Sequence, residues 1–452
     1  MAQLSLTFSG RSPEARVLPS QPPLRVAGLF AGVGGIEAGL HQAGHSTSLL
    51  CEIDPAAIAV LNARFSGVPV HPDVMCLETL TDIDLLTAGF PCQDLSIAGQ
   101  RAGIAGRRSS LVSHVFRLID AANPCPKWVL LENVPFMLQL QHGKGMKLLI
   151  EELEARGFAW AYRVVDTRAF GLPHRRQRVL VLASKTESPR DVLLSMDAGE
   201  PSPPRFDGAA VCSFYWTEGH RGVGWSVECV PPLKVGSGLG IPSSPAVWDP
   251  EAGTISTLDI RDVERLQGFD ADWTEPALTK GQRGDRWRLV GNSVSVPLGN
   301  WVGTCLRSPR AYDPRYDPPL GEHSKWPNAA WGEPGKRFAS FASMWPVSIA
   351  LPRLHEFLKH PVTPLSSRAA AGLMKRIAKG STNVPERFLT NLKVMATEEE
   401  RRLAGVERQR LEREIVSLRT AARRATQVAA QVEINERIRL LERRLEESER
   451  AP

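Results

Sequence analysis

From Leu24 to Ser184 short apolar runs alternate with amphipathic stretches, and that rhythm admits few folds. The candidate strands are Arg25 to Phe30, Ser48 to Cys51, Leu85 to Ala88, Trp128 to Leu131 and Val179 to Ala183, with helical spacing between several of them. Strands and helices taken in turn argue for a doubly wound, mostly parallel α/β sheet over residues 24–184.

The texture then changes. From Lys185 to about Gly253 the chain is dense in Pro, Gly and Ser, with Trp216, Trp225 and Trp248 scattered through it and no sustained period, which predicts a smaller, loop-rich domain over 185–284. Helical patterning returns near Arg261, residues 285–306 read as a return segment, and 307–396 as an accessory region whose first part is rich in Pro and Trp. Beyond Thr397, Leu411, Ile415, Leu418, Ala422, Ala425, Ala429 and Val432 recur at 3/4 spacing among Glu and Arg, predicting an amphipathic helix or coiled coil over 397–452. The shift of register to Ile434, Ile438, Leu441 and Leu445 implies a stutter or break near Glu433. Such a narrow seam must pack on a second copy, a partner or the body of the protein.

Composition excludes several classes. With 42% apolar and 23% charged residues the chain is neither fibrous nor wholly disordered, and its net charge of +6 is compatible with a polyanionic partner without requiring one. Seven scattered cysteines include no Cys-x-x-Cys pair and no cluster at zinc spacing, so a reducing cytoplasm and no metal are expected. Residues 1–23 lack the apolar core of a signal peptide and read as disordered, and no apolar run reaches the roughly 18 residues a membrane span needs.

Four segments carry chemistry. Leu29-Phe30-Ala31-Gly32-Val33-Gly34-Gly35 follows the first strand and opens a helix, where glycines let the backbone approach a ligand. Glu52 ends the next strand, placed to accept hydrogen bonds from a ribose diol, so a nucleoside-bearing cofactor is indicated. A nicotinamide dinucleotide fits less well, because its fingerprint needs a small residue where this chain has Glu37. Gly89-Phe90-Pro91-Cys92-Gln93 leaves the carboxyl end of another strand. A lone cysteine is most often an inert small residue, but the edge of an open α/β sheet is where ligands bind. Trp128 to Leu131 ends abruptly in Glu132-Asn133-Val134, and His174-Arg175-Arg176-Gln177-Arg178 leads into a strand with Arg176 and Arg178 on one face.

Taken with Arg265-Leu266-Gln267-Gly268-Phe269 and Gly291-Asn292-Ser293-Val294, these motifs stand in the order found in the DNA (cytosine-5)-methyltransferase family of bacterial or phage type, which the chain resembles over about residues 25–305. The resemblance implies a methyltransferase sheet, a target-recognition domain at about 185–284, S-adenosyl-L-methionine as co-substrate and double-stranded DNA as partner. It implies Cys92 as the nucleophile at cytosine C6, Glu132 as the acid at N3, and Arg176 and Arg178 as residues orienting the base. It sets Phe30 against the adenine, Glu52 on the ribose and Asp73 near the adenine amine, with Gly32, Gly34, Pro91, Leu111, Asn292 and Ser293 around the cofactor. Attack at C6 comes perpendicular to the ring, so the cytosine must be flipped out of the duplex. His174 departs from the family, which usually has Gln there. A cognate restriction endonuclease, and self-association through the C-terminal helix, are further partners to test. The rival readings are an RNA cytosine-5 methyltransferase of the tRNA-modifying branch and a catalytically silent DNA-binding protein that kept the fold. The insert before Arg261 favours a reader of DNA sequence over the first, and intact Cys92, Glu132, Arg176 and Arg178 argue against the second.

Overall fold

Apolar, β-branched runs make the strands that carry the site. In the computed structural model, which describes residues 16–91, 111–234, 244–279, 283–321, 324–380, 383–424, 434–443 and 445, these are β1 (Arg25–Leu29), β2 (Ser46–Cys51), β3 (Val70–His71), β4 (Leu85–Ala88) and β5 (Trp128–Asn133). They pair in parallel in the order β5-β4-β1-β2-β3. Both faces are buried. Val26, Leu85 and Leu130 pack into one apolar cluster, while their chain neighbours Ala27, Leu86 and Val129 pack into another, as the two-residue period of a strand requires.

Helices α1 (Gly35–Gln42), α2 (Pro55–Arg64), α3 (Leu111–Ala121) and α4 (Lys144–Ala155) follow β1, β2, β4 and β5. At α1 the side chain of Glu37 folds back under the sheet. It is buried and accepts a hydrogen bond from the Thr87 hydroxyl (2.7 Å), and a Cβ on Gly28 would lie 2.4 Å from its Oε1. The residue that argues against a dinucleotide fingerprint is thus a packed element of this fold.

The parallel block continues into strands that reverse direction. β6 (Ala159–Asp166) pairs antiparallel with β7 (Gln177–Ser184), and β7 lies antiparallel to β5, with Glu132 opposite Leu180 and Asn133 opposite Val179. The start of β7 therefore sits beside the end of β5. After β7 the chain makes the short strands β8 (Cys212–Phe214), β9 (Ser226–Val227), β10 (Ala246–Asp249) and β11 (Thr254–Thr257). Two further strands, β12 (Ala329–Glu333) and β13 (Lys336–Ala339), come from the Pro- and Trp-rich stretch and extend the main sheet beyond β6 to nine strands, in the order β13-β12-β6-β7-β5-β4-β1-β2-β3. Seven of the nine strands run in one direction. β7 and β12 oppose them.

Helices α5 (Ile260–Arg265), α6 (Arg283–Asn292) and α7 (Val296–Arg307) bring the chain back to β1. α7 crosses α1 at backbone distance. A Cβ on Gly39 would lie 2.1 Å from the Val296 carbonyl, and one on Gly299 2.4 Å from that of Ile36, so glycine on both helices is what lets the two pack this closely. Of the N-terminal segment expected to be disordered, residues 16–23 belong to the described structure: the Leu18 N–H donates to Pro309 O (2.9 Å) and Val17 bridges Arg310.

The chain divides into two compact units. The first comprises the described residues to Tyr215, Gly224–Val247 and Thr257–Thr363; the second comprises Trp216–Val223, Trp248–Ser256 and the described residues from Pro364 onward. In the second unit α8 (Ser367–Lys379) is capped by the Ser366 hydroxyl, which accepts from Ala369 N, and α9 (Glu386–Arg424) begins eleven residues before Thr397. Buried Trp248 packs edge-on against Phe388 and donates from Nε1 to Asn391 (2.9 Å). Leu411 and Ile415 of α9 pack with Ile438 and Leu441, flanked by Arg437–Glu414 (3.2 Å) and Arg419–Glu442 (2.6 Å) ion pairs. The apolar seam read from the sequence is covered at these positions by a later segment of the same chain; Ala425, Ala429, Val432 and the expected break at Glu433 lie outside the described residues. Among the described residues no helix is long and apolar enough to cross a membrane.

Candidate active site

The parallel register brings the strand ends level. Leu29 pairs with Ala88 and with Cys51, and Ala88 pairs with Leu131, so Phe30, Glu52, Gly89 and Glu132 leave the sheet along one edge. There they line a cleft of about 820 Å³ together with Gly32, Asp73, Pro91, Leu111, Arg176, Arg178 and Asn292. Ten of the residues read from the sequence thus share one cavity, with Glu132 among its walls. Gly34 and Ser293 stand behind it. Gly34 N-caps α1 at φ 80°, and Ser293 is buried, with its carbonyl accepting from Arg176 (2.6 Å). Cys92 lies outside the described residues, between the cleft-lining Pro91 and Leu111.

Phe30 takes the uncommon φ of 54°, and Gly32 follows at 56°. A Cβ on Gly32 would meet no protein atom within 4 Å, so the backbone there fronts open space. Glu52 is anchored by backbone N–H groups: Oε2 accepts from Gly32 (2.7 Å), and Oε1 from Ile53 and Asp54 (2.9 Å each). Asp54 in turn caps α2 and pairs with Arg288 of α6, another cleft residue. Asp73 accepts from Met75 N (2.8 Å).

Glu132 is buried, and the Arg178 Nε lies 2.7 Å from its Oε1. That ion pair is the closest contact of the buried carboxylate. Burial raises the carboxyl above the usual range, outweighing the opposing pull of Arg178 and Arg176. Arg176 is buried too, with its guanidinium donating to the carbonyls of Gly291 (3.0 Å), Ser293 (2.6 Å) and Leu233 (3.3 Å). Asn133, quoted in its motif but given no role from the sequence, donates to Phe90 O (3.0 Å) and so fixes the strand exit that leads to Cys92. Cys51, which lines the cleft, is no candidate nucleophile, because burial, Glu52 and Asp73 push its thiol up to about 12.

His174 is buried between two backbone groups. Its Nδ1 lies 3.1 Å from Leu266 O and its Nε2 accepts from Leu233 N (3.3 Å), a pairing that fixes the neutral tautomer with the proton on Nδ1. One donor and one acceptor are also what a glutamine amide offers, which accounts for the departure at this position. Burial holds the His174 pKa far below its ordinary value of about 6.5. The folded state thus resists protonation that the unfolded chain accepts, so stability present above about pH 6.5 is lost as pH falls toward the folded value. His174→Gln is expected to keep activity and to flatten the acid side of the Tm-versus-pH profile. His174→Ala should cost about 1–3 kcal/mol by orphaning a buried group. Denaturation of both variants from pH 5 to 8 checks this.

An open α/β edge that carries a backbone-anchored carboxylate, Glu52, and a second, buried one, Glu132, is where folds of this class bind ligands. Among the described residues no cluster suited to a metal ion accompanies it. Residues 24–205 match the family model of the C-5 cytosine-specific DNA methylases. The chain is 46% identical to the Type II methyltransferase M2.BsuMI of Bacillus subtilis (strain 168), an alignment covering 82% of this chain and 97% of that one. It is 28% identical to M.Bsp6I of Bacillus sp. (strain RFL6), over 61% and 96% respectively. Among solved structures, the Dnmt2 methyltransferase of S. pombe aligns at a TM-score of 0.47 and 20% identity, covering 63% of this chain and 98% of that one. The chain belongs to the C-5 cytosine-specific DNA methylase family.

Proposed function

We propose that the chain transfers a methyl group from S-adenosylmethionine to C5 of a cytosine flipped out of a specific double-stranded DNA sequence, through a covalent adduct between Cys92 and C6. The observation that carries this reading is a single cleft holding both buried Glu132 beside Arg178 and backbone-anchored Glu52. The residues present fit the co-substrate. A carboxylate offers about four lone-pair sites, and Glu52 Oε2, which accepts one N–H, keeps capacity for a ribose hydroxyl. The open space at Gly32 admits a ligand to the backbone. Phe30 faces the adenine and Asp73 its amine, while Gly34, Pro91, Leu111, Asn292 and Ser293 complete the surroundings.

S-adenosylmethionine, when bound, supplies the electrophilic methyl that a nucleophilic C5 takes. The chain's own residues create that nucleophile. The Cys92 thiolate bonds to C6, and the electron pair displaced toward N3 is met by a proton from Glu132, whose carboxyl burial shifts toward the protonated form. Arg178 holds Glu132 in place and Arg176 ties residues 291–293 to the cleft. A water molecule then takes the C5 proton, the C5–H electron pair forms the C5=C6 bond as Cys92 leaves as thiolate, and N3 returns its proton to Glu132, which restores the enzyme.

Sequence recognition belongs to the loop-rich stretch 185–253, since base edges are read by projecting side chains while the catalytic edge serves any cytosine. The setting we propose is DNA modification in the cytoplasm, with a cognate restriction endonuclease as a partner to test. Incubation with radiolabelled S-adenosylmethionine, DNA and RNA, followed by DNase or RNase, tests the substrate. Label released by DNase, with one sequence context in bisulfite reads, is the expected result; label confined to RNA overturns it.

A further inference from the structure

We infer that Lys234 binds a backbone phosphate of the nucleotide whose base enters the cleft, an inference that rests on the DNA-methylation reading above. Lys234 lies in the segment Val230–Lys234, which is bolted onto the catalytic motif. The Val230 N–H donates to Pro173 O (2.8 Å), the Arg175 N–H to Val230 O (2.8 Å) and the Leu233 N–H to His174 Nε2 (3.3 Å). Arg176 donates to Leu233 O (3.3 Å), and the Tyr215 hydroxyl to Pro232 O (2.5 Å). These bonds set Pro232, Leu233 and Lys234 in the wall of the cleft that holds Glu132 and Arg178. The Lys234 side chain is exposed, with its ammonium 4.4 Å from the centre of the Tyr215 ring.

A nucleotide that enters base first leaves its charged, hydrated phosphates at the rim. Arg176 and Arg178 are buried and engaged with carbonyls and with Glu132, so their place is at the depth of the base. Lys234 carries its ammonium, set over the Tyr215 ring, at the exposed part of the same wall, on a backbone fixed to the arginines that frame the base. A phosphate held there sets how far the base reaches toward Glu132. Such a contact is blind to sequence and carries a salt signature.

The test compares wild type, Lys234→Gln, Lys234→Arg and Lys234→Met, the last keeping the alkyl stem over Tyr215. KM for duplex DNA and for S-adenosylmethionine, kcat and Tm are measured, together with duplex affinity from about 50 to 200 mM salt. Lys234→Gln and Lys234→Met are expected to raise KM for the cognate duplex by roughly tenfold, to weaken affinity for cognate and non-cognate duplexes alike and to lower the salt slope by about 0.9, with Tm and the cofactor KM unchanged; Lys234→Arg keeps the slope. An unchanged slope in a wild-type-stable Lys234→Met, or a loss confined to Tm, overturns the inference. Wild-type enzyme that fails to methylate DNA overturns the underlying reading instead, so the two failures are distinct.

Discussion

Cys92→Ser is expected to lower methyl transfer on the order of 10³-fold or more while S-adenosylmethionine still binds. The side chain acts on the base and not on the methyl donor, and serine at neutral pH is not ionised enough to add to C6. Its loop lies outside the described residues, but both flanks, Pro91 and Leu111, line the cleft, and Asn133 pins the carbonyl of Phe90 two residues upstream. A duplex carrying 5-fluorocytosine at the target should trap the wild-type adduct, since fluorine cannot leave as a proton. Mass spectrometry locating no adduct, or one at another residue, refutes the assignment.

Glu132→Gln is expected to cut kcat by roughly 10²- to 10⁴-fold, the range for loss of a positioned acid. Glutamine preserves the shape beside Arg178 but has no proton to give N3. The raised pKa sets a direction for pH as well. The carboxyl holds its proton to higher pH in the fold than in the unfolded chain, so wild-type kcat should decline as pH rises through that elevated value, and the glutamine variant should lack this limb. Its stability contribution runs the same way: full below the ordinary carboxylate range, and lost as pH climbs through the folded pKa. Pre-steady-state methyl transfer from pH 6 to 9, with cofactor binding as a check on folding, decides it. An alkaline limb that persists in Glu132→Gln would falsify the acid role.

Part of the cleft was legible in the sequence because several of its lining residues stand at the ends of strands that identify themselves. Phe30 and Glu52 come directly after, Pro91 and Cys92 shortly after, and Glu132 at the end of, runs such as Leu85 to Ala88, whose burial on both faces shows as unbroken apolarity. β12 and β13 were hidden in a stretch of Trp, Gly and Pro that alternates with no clear period, and only the pairing of β12 with β6 and of β13 with β12 makes them strands. β6 itself, AWAYRVVD, carries Arg163, which is buried because its guanidinium donates to the carbonyls of Leu193, Met196 and Ser343. No local pattern announces such a partner set. Lys234 and Arg288 escaped for the same reason: their place in the cleft depends on bonds to His174, Arg176 and Asp54, far away in the chain.

The way the second unit is assembled bears on how the protein is made. Trp248 leaves the ribosome well before Asn391, its hydrogen-bond acceptor 143 residues later, and Phe388, the ring packed against it. Segments 216–223 and 248–256 belong to a unit whose remaining residues begin at Pro364, so that unit cannot close while synthesis is under way. During that interval a large indole has no native cover. Nascent chains are therefore most open to aggregation or chaperone capture when they end between Trp248 and Phe388, and slow translation over that interval should lower the soluble yield more than slow translation over β1 to β5.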